Sequence, residues 1–412
     1  MNKEELSING KILHTPFGKE DVYGALNMPI YQSAAFEFNT AEEMEAAFKG
    51  QVADHTYSRI TNPTVQYFES RVQSITDALS VTAVNSGMAA ITNAIITLAR
   101  TGSNIVTSQH LFGNTYSFFA TTLASFGVEV RFCDLKNPVE VESNIDKNTC
   151  GVFLEIITNP QLEVADLKAI SAVTGQHGVP LVADTTVIPF CGFSAKDFGV
   201  NIEIVSSTKY ISGGATSLGG LIIDYGNFDW TGSSKLNPLV KEFGPGAFTA
   251  KLRKEILRNL GAYMTPQVAY LQTLGLETLT VRYERATSTC LQLAKRLEKL
   301  SQVESVNYTG LPTNAFYELS CAQFGERPGA MFTFDLVSRE ACFSFMNKLS
   351  LVRRATNLFD NKTLAIHPAS TIFGTFSPEV RKAMNVSDKT IRISVGLEDV
   401  EDLYRDFEQA IG

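Results

Sequence analysis

The sequence predicts an α/β protein: a mainly parallel sheet with helices on both faces, followed by a smaller α/β domain. Two features lead there. Between residues 79 and 224, short apolar or β-branched runs alternate with stretches of helical periodicity. Repeated β-α units of this kind imply a sheet covered on both sides. After about residue 262 the character changes, with a long charged helical stretch over 266–300 and then further strands and helices.

A chain of 412 residues is too long for one small core and divides into two or three domains. The expected division is an N-terminal arm over 1–60, a large domain over 61–262 and a small one over 263–412. An apolar content of 44% is ordinary for a globular chain, and a net charge of −8 argues against general nucleic-acid binding. No run of eighteen apolar residues occurs, so no membrane span is expected. The opening Met1-Asn-Lys-Glu-Glu-Leu6 is polar and acidic, unlike a secretory signal. Six scattered cysteines without a Cys-x-x-Cys fit reduced thiols in a cytoplasm, and the dispersed histidines give no metal-ligand spacing.

Along the chain, residues 29–38 look extended and 41–49 helical, as in an arm lying on another part of the molecule, or a frayed terminus. Pro63 pre-sets the start of a helix over 64–78 with Val65, Phe68, Val72 and Ile75 on one face. Tyr57 and Arg59 sit on the loop before it, either as surface and packing residues or as a pair reaching for an anion. A strand over 79–84, the turn Asn85-Ser-Gly-Met88 and an apolar helix to about 99 follow. Ser86 is an N-cap there, Gly87 admits close backbone approach, and helix N–H groups form an anion site. Further strands are expected over 105–108, 128–132, 151–157, 180–184, 202–205 and 221–224, with helices opening near 111 and over 167–177. In the last third, strands over 303–308, 331–336 and 391–395 alternate with helices over 339–349 and 400–411.

Ligands of such sheets bind beyond the carboxyl ends of the strands. Ser86, Phe112, Asn159, Asp184 and Lys209 all fall just past expected strand ends. The richest stretch is Ser206-Ser-Thr-Lys-Tyr210, leading into a glycine-rich loop that ends at Gly220. A lysine there either solvates a surface or, partly desolvated at the end of a buried strand, becomes a nucleophile for carbonyls. Hydroxyls before it and bare glycine backbone after it suit a phosphate. Pyridoxal 5'-phosphate combines an aldehyde with a phosphate. Asp184 supplies a counter-charge for its pyridinium nitrogen, or else caps a turn. Phe112 supplies a face for the ring, or else ordinary core.

Tyr57-Ser-Arg-Ile-Thr-Asn-Pro-Thr64, Ser86-Gly-Met-Ala-Ala90, Asp184-Thr-Thr186, Ser206-Ser-Thr-Lys-Tyr210 and Ile391-Arg-Ile-Ser-Val-Gly-Leu-Glu398 together resemble the cysteine/methionine-metabolism family of pyridoxal-phosphate enzymes. The resemblance runs over almost the whole chain and implies the fold type I transferase architecture. It implies Lys209 as the imine-forming lysine and Asp184 as the partner of the ring nitrogen. It puts the Gly87 and Met88 backbone and the Ser206 and Thr208 hydroxyls on the phosphate, and adds Ser86, Phe112, Asn159 and Thr186 to the cofactor set. Tyr57, also a catalytic candidate, and Arg59 would serve the cofactor of a neighbouring subunit, which makes the active form at least a dimer and, as in the family, a tetramer. Arg392 would fork the substrate α-carboxylate, with Asn357 a second contact.

Residues 226–253, Asn357 and Leu364-Ala-Ile-His-Pro-Ala-Ser370 are similar to the O-acetylhomoserine sulfhydrylase branch, and Asn114 stands where methionine γ-lyases carry cysteine. The implied reaction is γ-replacement on O-acetyl-L-homoserine by sulfide or a thiol. The alternatives are γ-elimination, cystathionine synthesis or cleavage, or an amino-acid-binding protein without turnover. The chain departs from the family pattern at Phe112 (tyrosine in the family), Thr185 (asparagine) and Phe359 (glycine).

Overall fold

The computed structural model describes residues 6–17 and 21–412. Residues 1–5, most of the polar opening, lie outside the described residues. The chain forms two compact units, one of Met1–Ala99, Asn201–Ser212 and Thr216–Glu277, the other of Arg100–Val200, Gly213–Ala215 and Thr278–Gly412. Among the described residues no helix is long and apolar enough to cross a membrane.

In the first unit the strand Gly220–Asp224 lies between Ser80–Val84 and Ile202–Val205 and runs antiparallel to both. This corrects the expectation of parallel pairing here. A parallel neighbour needs a helical crossover, whereas residues 206–219 contain no helix. The two outer strands point the same way, so Val84 and Val205 end at one edge. Helix Pro63–Thr76 starts as expected: the Asn62 side chain accepts the Thr64 N–H at 2.9 Å, and Val65, Phe68, Val72 and Ile75 are buried. Helix Gly87–Leu98 is capped by Ser86 Oγ, which accepts from Ala89 N at 3.0 Å. Gly220 lets this helix start lie against the sheet, since a Cβ there would come within 2.2 Å of the Ser86 carbonyl oxygen. The segment after the sheet is not loop. Helices Asn237–Phe243 and Ala247–Lys251, the second continuing as a π-helical turn over Leu252–Leu257, pack around buried Trp230. Its ring stacks on Phe248 at 5.5 Å.

The second unit holds the parallel sheet that the sequence predicts. Asn104–Thr107 lies between Glu129–Phe132 and Thr149–Glu155, which in turn pairs with Leu181–Asp184, all parallel. Ile105, Val106, Val152, Phe153, Leu154, Leu181, Val182 and Ala183 are fully buried, as befits strands covered on both faces. A second sheet of five strands runs Arg353–Arg354, Leu364–Ile366, Thr390–Ser394, Met331–Asp335, Ser305–Asn307. Phe334, Phe345 and Phe407 meet in ring contacts where helices Arg339–Lys348 and Val400–Ile411 cover it.

The helix expected over 266–300 is two helices, Pro266–Glu277 and Leu279–Leu297. Thr278 breaks them with φ −112° and ψ 6°, and its hydroxyl accepts from Arg282 Nε at 3.0 Å. Helix Tyr317–Phe324 and strand Leu364–Ile366 carry too short a pattern to be read from sequence.

Candidate active site

Each unit gathers one set of the predicted residues. In the first, Ser86, Gly87 and Met88 form the start of the twelve-residue helix Gly87–Leu98, where N–H groups point outwards and favour an anion. Gly87 is held against Ser206: a Cβ on it would fall 2.7 Å from Ser206 Cβ and 2.8 Å from its Oγ. The Ser206 hydroxyl and the helix start therefore share one cradle, which a larger residue at 87 would fill. Thr208 Oγ1 accepts the Gly219 N–H at 3.0 Å and donates to the Gly219 carbonyl at 3.2 Å, tying down the loop that follows. Lys209 sits in a turn closed by its N–H to the Ser206 carbonyl at 3.1 Å and is half-buried between buried Ser207 and Tyr210.

Tyr57 and Arg59 lie elsewhere in this unit. Tyr57 is 42% exposed. The Arg59 guanidinium lies 5.4 Å over its ring and donates to the Arg258 carbonyl at 2.5 Å. Arg59, Arg253, Lys254 and Arg258 line a cleft of 690 Å³ together with Asp54 and Glu69, and Arg253 is paired with Glu69 at 2.8 Å.

In the second unit Phe112, Asn159 and Asp184 follow parallel strands and so share one end of that sheet. Asp184 closes its strand, and its Oδ1 accepts the Thr186 N–H at 2.9 Å. Asn114, the second residue of the helix Gly113–Ser117 that Phe112 caps, is exposed.

Arg392 is 1% exposed, not on the solvated strand face that a charged residue ordinarily takes. Its Nη1 donates to Asn159 Oδ1 at 3.1 Å and its Nη2 to the Asn357 carbonyl at 3.2 Å. Its buried Nε has no hydrogen-bond partner, and no carboxylate among the described residues pairs with it. Burial alone pulls the guanidinium down to about 9. A buried cation without a counter-ion is costly, and a carboxylate ligand is the simplest remedy. Asn357 meets Arg392 through its backbone, while its side chain donates to Asp360 at 3.1 Å. Phe359 keeps a left-handed backbone, φ 52°, with its N–H on Ser394 Oγ at 2.6 Å. That is a glycine-favouring conformation at the position where the family pattern has glycine.

Sequence reading missed Glu155. It ends its strand, is nearly buried, accepts the Phe112 N–H on Oε1 at 2.7 Å and sits in register with Asp184. The available signal was a lone acid inside the apolar run Gly151-Val-Phe-Leu-Glu-Ile-Ile157.

The family model for Cys/Met metabolism PLP-dependent enzymes matches residues 9–412. An O-acetyl-L-homoserine sulfhydrylase of Thermus thermophilus is 35% identical over 97% of this chain and 98% of its own. The solved structure of the O-acetylhomoserine sulfhydrylase of Wolinella succinogenes is 46% identical with a TM-score of 0.77, covering 86% of this chain and 98% of that one. A Campylobacter jejuni protein provisionally assigned as an O-acetylhomoserine (thiol)-lyase, whose structure carries N'-pyridoxyl-lysine-5'-monophosphate, is 31% identical with a TM-score of 0.92, covering 98% of this chain and all of that one. With these matches spanning both units, the chain belongs to the Cys/Met metabolism PLP-dependent enzyme family.

Proposed function

We propose that this protein is an O-acetylhomoserine sulfhydrylase. It replaces the acetate of O-acetyl-L-homoserine with sulfide or a thiol, so that the Cγ–O bond breaks, a Cγ–S bond forms, and homocysteine or methionine is released with acetate. The observation that carries the substrate class is Arg392: a buried guanidinium with an unpaired Nε suits the α-carboxylate of an amino acid. The likeness to named sulfhydrylases over nearly the whole chain supports the reaction.

The donor set fits pyridoxal phosphate. The cradle between Gly87 and Ser206 is of a kind that takes a phosphate, with the Met88 backbone, Ser86 and Thr208 beside it. Lys209 supplies the amine for the aldehyde, Asp184 the charge for the ring nitrogen, and Phe112, Asn159 and Thr186 complete the set. When bound, the cofactor stabilises negative charge at the α-carbon of an amino acid. Lys209 Nζ would take the protons from Cα and then Cβ as acetate leaves Cγ, and return them at Cβ and Cα as sulfur enters. Phe112 offers a flat apolar face and no exchangeable proton, so the phenol of Tyr57 or a water serves where the family uses tyrosine. Arg392 and Asn357 orient the carboxylate. Tyr57 and Arg59 act on the cofactor of a neighbouring copy, in a cytoplasmic homotetramer. The functional division is an arm over 1–60, a cofactor domain over 61–262 and a small domain over 263–412.

The test is a product ranking. Homocysteine formation from O-acetylhomoserine and sulfide is expected to exceed α-ketobutyrate release from methionine by at least about tenfold in kcat/KM. The opposite ranking makes the protein a γ-lyase. A second prediction concerns the cradle. Gly87→Ala should displace Ser206 and weaken pyridoxal phosphate binding at least about tenfold, since a donor array that must shift loses its fit. Equilibrium dialysis of the folded variant measures it.

A further inference from the structure

Glu155 is 8% exposed and stands beside Asp184 in register on the adjacent parallel strand. In-register residues of neighbouring strands point to one face, with the strands about 4.8 Å apart. Two acids so placed do not both ionise readily. Asp184 is the more exposed of the two and accepts the Thr186 N–H at 2.9 Å. Glu155 has no ion-pair partner among the described residues and accepts the Phe112 N–H at 2.7 Å. Burial first, then the Asp184 charge, push its carboxyl up to about 8, against the opposing pull of the Phe112 and Asn159 backbones. A cavity of 20 Å³ reaches it, lined also by Ser108, Asp134, Lys136, Thr158 and Glu163. That is room for one water, and so a route for a proton to and from Glu155.

We propose that Glu155 is a positioning residue of the cofactor site, whose carboxyl fixes the backbone of Phe112 beside Asp184, its register neighbour. It rests on the reading that Lys209, Asp184 and Phe112 hold pyridoxal phosphate. The proton on Glu155 removes one of two adjacent negative charges, and its carbonyl oxygen remains as the acceptor for Phe112. The aromatic wall and the acid thereby depend on one side chain.

Pyridoxal phosphate titrated into the apo forms of the parent, Glu155→Gln, Glu155→Asp and Glu155→Ala, with the dissociation constant and the visible band recorded, tests the proposal. Glutamine is neutral and keeps an oxygen for the Phe112 N–H, so its dissociation constant should stay within about threefold of the parent with the band in place. Aspartate falls short of that N–H and alanine lacks an acceptor, so both should weaken binding at least about tenfold and shift the band. Aspartate serves if alanine fails to fold. The proposal is overturned if glutamine loses as much as aspartate, or if aspartate keeps the affinity and band of the parent. Failure of the underlying reading has a different signature: borohydride would then leave no pyridoxyl group on Lys209 in the parent itself.

Discussion

Lys209→Ala is expected to give a protein that binds pyridoxal phosphate only reversibly and turns over O-acetylhomoserine at least about 10³-fold more slowly than the parent. The amine has two tasks, nucleophile towards the aldehyde and carrier of protons at substrate Cα and Cβ, and alanine performs neither. Groups acting as a unit lose most of their effect when one is removed. The fold should survive, because the turn that carries half-buried Lys209 is held by backbone and hydroxyl hydrogen bonds that the substitution keeps. Circular dichroism and steady-state rates in the same preparation separate the two effects. Turnover within tenfold of the parent would remove Lys209 from the chemistry.

Arg392→Met should lower kcat/KM by about 10² to 10³, mainly through KM, the scale for deleting one partner of a buried charge pair. The same change should raise the unfolding temperature of the ligand-free protein. The guanidinium is buried with its Nε unpaired and no acid beside it, and an uncompensated buried charge costs several kcal/mol. Opposite signs in the two measurements are the mark of a residue kept for a ligand. Arg392→Lys should not rescue KM, because a point charge cannot grip a carboxylate with two parallel donors. A variant that is both less stable and unchanged in KM would mean that Arg392 is structural.

Glu155 also predicts a pH effect. Its folded pKa is raised, so the native state holds a proton that the unfolded chain has released. The stability this contributes is complete below the ordinary glutamate range and is lost as pH rises through about 8. Between about pH 5 and pH 9 the parent should lose more stability than Glu155→Gln, followed by denaturant unfolding.

Much of this was legible from residue patterns. The strand Ile202–Val205 and the helix Val400–Ile411 have the bounds that periodicity assigns, because a β-branched run and a clean amphipathic repeat leave little choice. Phe112, Asn159 and Asp184 share a sheet end because parallel strands order their loops that way. Three things were hidden. The direction of Gly220–Asp224 is set by the absence of a helix in the connection before it, not by its own residues. Thr278 takes a non-helical backbone, φ −112° and ψ 6°, that spacing does not reveal. Glu155 is only a lone acid in an apolar strand until the register brings it beside Asp184. Spacing likewise does not reveal that Asn357 meets Arg392 through its carbonyl while its amide donates to Asp360.

The most direct measurement is borohydride reduction of the pyridoxal-phosphate-loaded protein, followed by proteolysis and mass mapping of the pyridoxyl group. The expected result is one labelled peptide, containing Ser206 to Tyr210, with the mass added at Lys209. A label on any other of the chain's lysines, or no label in a protein that has taken up the cofactor, would contradict the account.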